Sequence, residues 1–241
     1  MAGDLTRPVL EQLKGTPLFA VTVTLISYQL GVTLQRLCRG ISLMNPVLVA
    51  ILLIGGTLRL TGTSYDAYLA AAQPIAFLLG PATVALAVPI IHNLERLRGM
   101  WIAIVLAVAL GSLVAAVSGI GLVEFFGGSR EIAMSMAPKA ATTPIAIAVA
   151  QSLDGIPSLT AVLAITSGIL AAVSLKFLLG LARIKGWRPL GLAAGTAGSG
   201  IGAAHALSLH GTAGAFAGVA VALNGLITSL LVPLLVHFWP K

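Results

Sequence analysis

Residues 129–151 read SREIAMSMAPKAATTPIAIAVAQ. The segment 130–151 is largely apolar, yet Pro138, Lys139 and Pro144 cut it before any run of large apolar side chains can cross a bilayer. A second stretch, 190–212, reads LGLAAGTAGSGIGAAHALSLHGT and is rich in Gly and small polar residues. Each reads as a broken or re-entrant segment rather than a plain span. Irregular backbone at membrane depth is tolerated only where protein or a water-filled cavity satisfies it. Both stretches therefore point to the interior of a membrane protein. A soluble linker and a tail hairpin are the plainer alternatives.

The rest of the chain supplies the spans around them. Of 241 residues, 58% are apolar and 9% charged, with a mean hydropathy of +1.02. A soluble domain carries about 25% charged residues, so this chain cannot coat a water-facing surface. Six blocks are long enough to cross fully, because about 20 apolar residues span the hydrocarbon core: 17–37, 43–60, 74–91, 100–123, 158–180 and 214–238. The expected fold is an all-α, polytopic transmembrane bundle with six full spans and two broken segments. It forms a single integral membrane domain over 1–241, with 1–16 as a short tail. Asp4, Arg7, Glu11 and Lys14 leave that tail uncharged overall, and 17–37 is too long for a signal h-region. The net charge of +7 does not imply a nucleic-acid partner, since the basic residues sit in short runs between apolar blocks. The single cysteine, Cys38, leaves no internal disulfide to form.

Charge placement sets the topology. With the Arg36/Arg39 loop in the cytoplasm, the 59–73 loop faces out, the Arg96/Arg98 loop faces in, and Gly127–Arg130 faces out. If 130–151 dips in and returns, the most basic loop, 176–188, falls inside, as the positive-inside rule requires. Segment 130–151 then enters from outside and 190–212 from inside, with one full span between them. That is the layout of transporters built from inverted repeats.

Several runs carry a family resemblance: LMNPVLVA (43–50), TGTSYDAY (61–68), GPATVALAVPI (80–90), EIAMSMAPKAATTPIAIAV (131–149), GIPSLTAV (155–162) and GLITSLLVPLL (225–235). Over about 40–240 the chain resembles the LrgB/CidB family of bacterial membrane proteins, and Pro138–Ala146 is the most specific element. The resemblance implies two classes of function. One is transport of a small monocarboxylate, as in the related plastidial glycolate/glycerate translocator and in members tied to pyruvate uptake. The other is holin/antiholin-like regulation of murein hydrolase activity and lysis, acting with a small LrgA/CidA-type membrane partner. The chain departs from the family pattern where its usual His is Ser199 and its usual Thr is Ala203. Ala140 and Ala141 stand where Ser-Val is common.

Lys139 is the foremost candidate residue. An ammonium at membrane depth normally has a partner or a task, and a half-helix N-terminus freed by proline attracts a carboxylate. Lys139, Thr142 and Thr143 together suit a small monocarboxylate, with Thr196, Ser199 and Asn45 as further contacts. Alternatively Lys139 snorkels to the interface and pins a loop. The small residues of 191–218 permit close helix packing, and helix kinking is the plainer role of Pro46, Pro81 and Pro89. Asn224, deep in the last span, is expected to make a helix–helix hydrogen bond. His205 and His210 are expected at loops or interfaces. No constellation of catalytic, metal-ligating or cofactor-binding residues has supporting context. The sequence thus points to transport of glycolate, glycerate or pyruvate by alternating access in the bacterial cytoplasmic membrane, with the antiholin-type regulator as the alternative. The chain is not expected to be an enzyme. A small carboxylate, the bilayer, an LrgA/CidA-like protein and further copies of the chain are the partners to consider.

Overall fold

The computed structural model describes residues 15–38, 46–85, 91 and 99–239. Asn45, Pro89 and the Arg39, Arg96 and Arg98 loop positions lie outside them. Every element among the described residues is helical, and the chain is a multi-pass membrane protein. Four helices are long and apolar enough to cross a membrane, or five if one bent pair counts as a span. The contacts group into two compact units, Met1–Ala85 and Leu86–Lys241.

The first unit holds α1 (Pro17–Leu37), α2 (Pro46–Thr61), α3 (Tyr65–Ala71) and α4 (Gln73–Ala85). Thr16 caps α1 by accepting from Phe19 N at 3.4 Å, and Pro17 fills the first helical position, where its missing N–H costs nothing. Helices α2 and α3 meet at 115°. The turn between them runs through Gly62, whose φ of 66° suits glycine, and Ser64 starts α3 by accepting from Ala67 N. The expected 59–73 loop is therefore partly helical, because a serine N-cap restarts the helix. Thr24 Oγ1 and Tyr68 Oη, 2.6 Å apart, tie α1 to α3. Helix α4 continues through Pro81, so this proline does not break the third expected span.

In the second unit a pattern repeats. A 25-residue helix, α5 (Trp101–Phe125), leads to a pair of short helices, α6 (Arg130–Met136) and α7 (Thr143–Gln151). A second 25-residue helix, α8 (Pro157–Leu181), leads to α9 (Trp187–Leu209), which is itself broken. Helix α10 (Gly211–His237) closes the unit.

Both interrupted segments are hairpins. Helices α6 and α7 return to one level: Ile156 N donates to Ser135 Oγ at 2.7 Å, and Gly155 lies against both Ser135 N and Ala150 O. In α9, Ser199 has φ 50° and ψ −140°, and the limbs 187–198 and 200–209 fold onto each other, with Gly202 against the Ala194 carbonyl. The Trp187 ring stacks on His210 at 4.7 Å, whereas a straight helix would hold them about 35 Å apart.

The hairpins approach from opposite ends of the unit. The first opens at the end where α5 finishes, α8 begins and α10 finishes, marked by Trp239 Nε1 donating to Glu124 Oε1 at 2.9 Å. The second opens at the end where α8 finishes and α10 begins, marked by the Trp187–His210 stack and by Arg188 reaching Met100 ahead of α5. Helix α5 therefore runs opposite to α8, as the charge argument required. The first half of α10 is buried almost all round, from Ala213 to Val221. Gly191 and Gly195 bring α9 onto its Ala213 and Ala217 carbonyls, which only residues without a Cβ allow.

Candidate functional site

The tips of the two hairpins meet at Asn224, the middle residue of α10 and about 20 Å from either end of that helix. Its Nδ2 donates to the Ala140 carbonyl at 2.7 Å and to the Thr196 carbonyl at 3.2 Å. Its Oδ1 accepts from Ser112 Oγ on α5, and Thr228 Oγ1 lies 3.4 Å away. Asn224 is 1% exposed, so water cannot substitute for these partners. One amide thus joins the first tip, the second tip and α5 at mid-helix. The expected helix–helix bond is present, and it also holds both breaks.

Helix α8 touches both tips from the other side. Ser167 Oγ donates to the Lys139 carbonyl at 2.9 Å, and Gly168 lies against the Gly198 carbonyl. Prolines 138 and 144 explain the first tip: they remove backbone donors and interrupt the helix, and its freed carbonyls find Asn224 and Ser167. The second tip turns on a non-glycine residue in the left-handed half of backbone space, which costs roughly 1–2 kcal/mol.

Lys139 is half-buried in the first tip. Its Nζ donates to the Ala115 carbonyl of α5 at 3.1 Å, a carbonyl that also receives Ser118 Oγ at 3.3 Å. Gly119 makes room for it, since a Cβ there would stand 2.8 Å from Nζ. Among the described residues no carboxylate pairs with Lys139. Glu124, Glu131 and Asp154 lie at the end of the unit where the first hairpin opens, and Glu124 is engaged by Trp239.

The remaining sequence candidates divide. Thr142 stands at the N-cap of α7 without making a side-chain capping bond, and Thr143 follows it; both are half-buried. Thr196 lies beside the second tip, with its methyl group facing Gly111 of α5 and its carbonyl on Asn224. Ser199 forms the break itself. The structure thus brings Lys139, Thr142, Thr143, Thr196 and Ser199 to one crossing, and Asn45 lies outside the described residues. Ser112, Ser167 and Gly119 were not singled out from the sequence. Polar or tiny residues in the interior of apolar 25-residue helices were the available signal.

One histidine differs from expectation and the other matches it, His210 lying exposed at the break between α9 and α10. His205 is not at a loop: it lies in the second limb of α9, buried, with Nε2 unpartnered among the described residues. His210 caps α10, its Nδ1 accepting from Thr212 N at 3.1 Å.

The LrgB-like family matches residues 24–238. The chain belongs to the LrgB-like family. Relatives named antiholin-like protein LrgB share this length: that of Bacillus mycoides (strain KBAB4) is 31% identical over 223 residues, covering 92% of this chain and 97% of the relative. The protein of the same name from Bacillus cereus (strain B4264) is 30% identical over the same coverage. No solved structure matches the chain. In this LrgB-like chain the match takes in both hairpins, α10 and all the residues gathered at Asn224.

Proposed function

We propose that this chain is an LrgB-type, antiholin-like protein of the bacterial cytoplasmic membrane. It restrains the permeabilising action of a small LrgA-type membrane partner, and so restrains murein hydrolase activity and lysis. The observation that carries this reading is the family match across 24–238, with relatives named antiholin-like aligned over nearly their whole length. Co-expression tests it. Cells making a holin-like partner should lose membrane potential and lyse, and this chain should delay both while co-purifying with the partner. Unchanged lysis at equal partner levels, with no co-purification, overturns the reading.

One observation favours a second reading, translocation of a small monocarboxylate. Lys139 is a cation near mid-depth with no carboxylate partner among the described residues, and buried membrane charges ordinarily pair. Thr142, Thr143, Thr196 and Ser199 lie near enough to the crossing to contact hydroxyl or keto oxygens. Opposed hairpins meeting at the midplane suit alternating access. Uptake of labelled glycolate and pyruvate into proteoliposomes tests it, wild type beside Lys139→Gln. Saturable uptake lost in the variant supports a carrier, and no uptake by folded wild type across several acids and ion gradients removes it.

A further inference from the structure

The end of the second unit at which the α9 hairpin opens carries a groove that the crossing does not use. It measures about 470 Å³ and is lined by Lys176, Leu179, Ile184, Lys185, Trp187 and Leu190, among others. Both lysines are exposed. From Gly155 to Lys241 the sequence contains no Asp or Glu, and the described acids of this unit, Glu124, Glu131 and Asp154, lie at the opposite end. Among the described residues of this unit, the two ammonium groups therefore have no counter-ion nearby. Arg188 is occupied elsewhere, donating to Met100 and lying 6.0 Å from the Phe216 ring centroid. Trp187 is 44% exposed, and its ring is fixed by stacking on His210.

We infer that this groove binds the headgroup and upper acyl chain of an anionic phospholipid. Two cations supply the charge complement to a phosphodiester, and Leu179, Ile184 and Leu190 supply an apolar wall for the chain. A fixed, half-exposed tryptophan is the side chain that settles at headgroup depth. The positive-inside rule places this end at the cytoplasmic leaflet, where basic pockets between helices meet anionic lipid. Bound lipid would bridge α8 to the first limb of α9, and so brace the mouth of the second hairpin.

Native mass spectrometry of the full chain in detergent tests this, titrating phosphatidylglycerol against phosphatidylcholine of matched chains. The wild type should retain phosphatidylglycerol at about tenfold lower lipid concentration than phosphatidylcholine. K176Q/K185Q should erase that preference, K176R/K185R should keep it, and R130Q at the opposite end should leave it unchanged. Equal retention of the two lipids by the wild type overturns the proposal without recourse to any variant. So does an undiminished preference in K176Q/K185Q, or displacement of the lipid by inorganic phosphate at equal concentration, which would mark a site for a free anion.

Discussion

The two hairpins reach the same depth by different chemistry. The first turns through Ala137–Thr142, with prolines at 138 and 144, and leaves a lysine, two threonines and freed carbonyls at its tip. The second turns at Ser199 alone, with glycines on either side and small residues along both limbs. Proline breaks a helix by removing donors, so the first tip must be satisfied by side chains from elsewhere. Glycine breaks nothing by itself but lets backbones touch, so the second hairpin is held by close packing against α10. The contrast assigns chemistry to the first tip and architecture to the second.

The largest effect should come from filling the second hairpin. A Cβ at Gly202 meets the Ala194 carbonyl, whereas one at Gly200 meets nothing within 4 Å. Gly202→Val should yield little folded protein, and Gly202→Ala, whose Cβ clashes with backbone, should cost about 4 kcal/mol or more, above the usual overpacking range; Gly200→Ala should be far milder. Thermal unfolding in detergent compares them, and equal losses would break the contrast. Next comes the bond between the hairpins. Asn224→Leu strands the Ala140 and Thr196 carbonyls, while the Ser112 hydroxyl keeps the Val108 carbonyl; it should cost about 2–4 kcal/mol and loosen both tips together. Thiol labelling of Ala140→Cys and Ala197→Cys in that background should rise at both positions.

Lys139→Gln should act the other way round from Gly202→Ala. Stability should change by no more than about 1 kcal/mol, since the lost contact is one half-buried hydrogen bond. Lysis delay or uptake, whichever the protein supports, should fall sharply. Gly119→Ala, which intrudes on the Nζ position, should give a weaker version of the same loss. If Lys139→Gln unfolds the protein instead, the first tip is architectural too. The smallest effect belongs to Ser199→Gly, which should gain about 1 kcal/mol by relieving positive-φ strain.

Much of this was legible in the sequence, and the exceptions share a cause. Pro138, Lys139 and Pro144 announce the first break by their own chemistry, and the Gly-rich run around Ser199 announces the second. The charge bias orients them, because loop cations report sidedness without tertiary structure. The role of Asn224 as the bond between tips was hidden. Which helix centres coincide depends on packing among α5, α8 and α10, and sequence spacing does not encode that. Ser167 and Gly119 were hidden for the same reason. The Tyr65–Ala71 helix was missed because its serine cap was read as part of a loop. His205 was misplaced because a histidine among small residues resembles a segment end, and only the fold-back at Ser199 buries it.

Sidedness of labelling tests the opposed hairpins most directly. In a Cys38→Ala background, single cysteines at Ser129, Asp154, Lys185 and Gly211 are probed in oriented membranes with an impermeant maleimide. Positions 129 and 154 should react from one face, and positions 185 and 211 from the other. Positions 129 and 154 on opposite faces, or 185 and 211 on opposite faces, would mean that a segment crosses rather than returns, and would contradict the crossed-hairpin core.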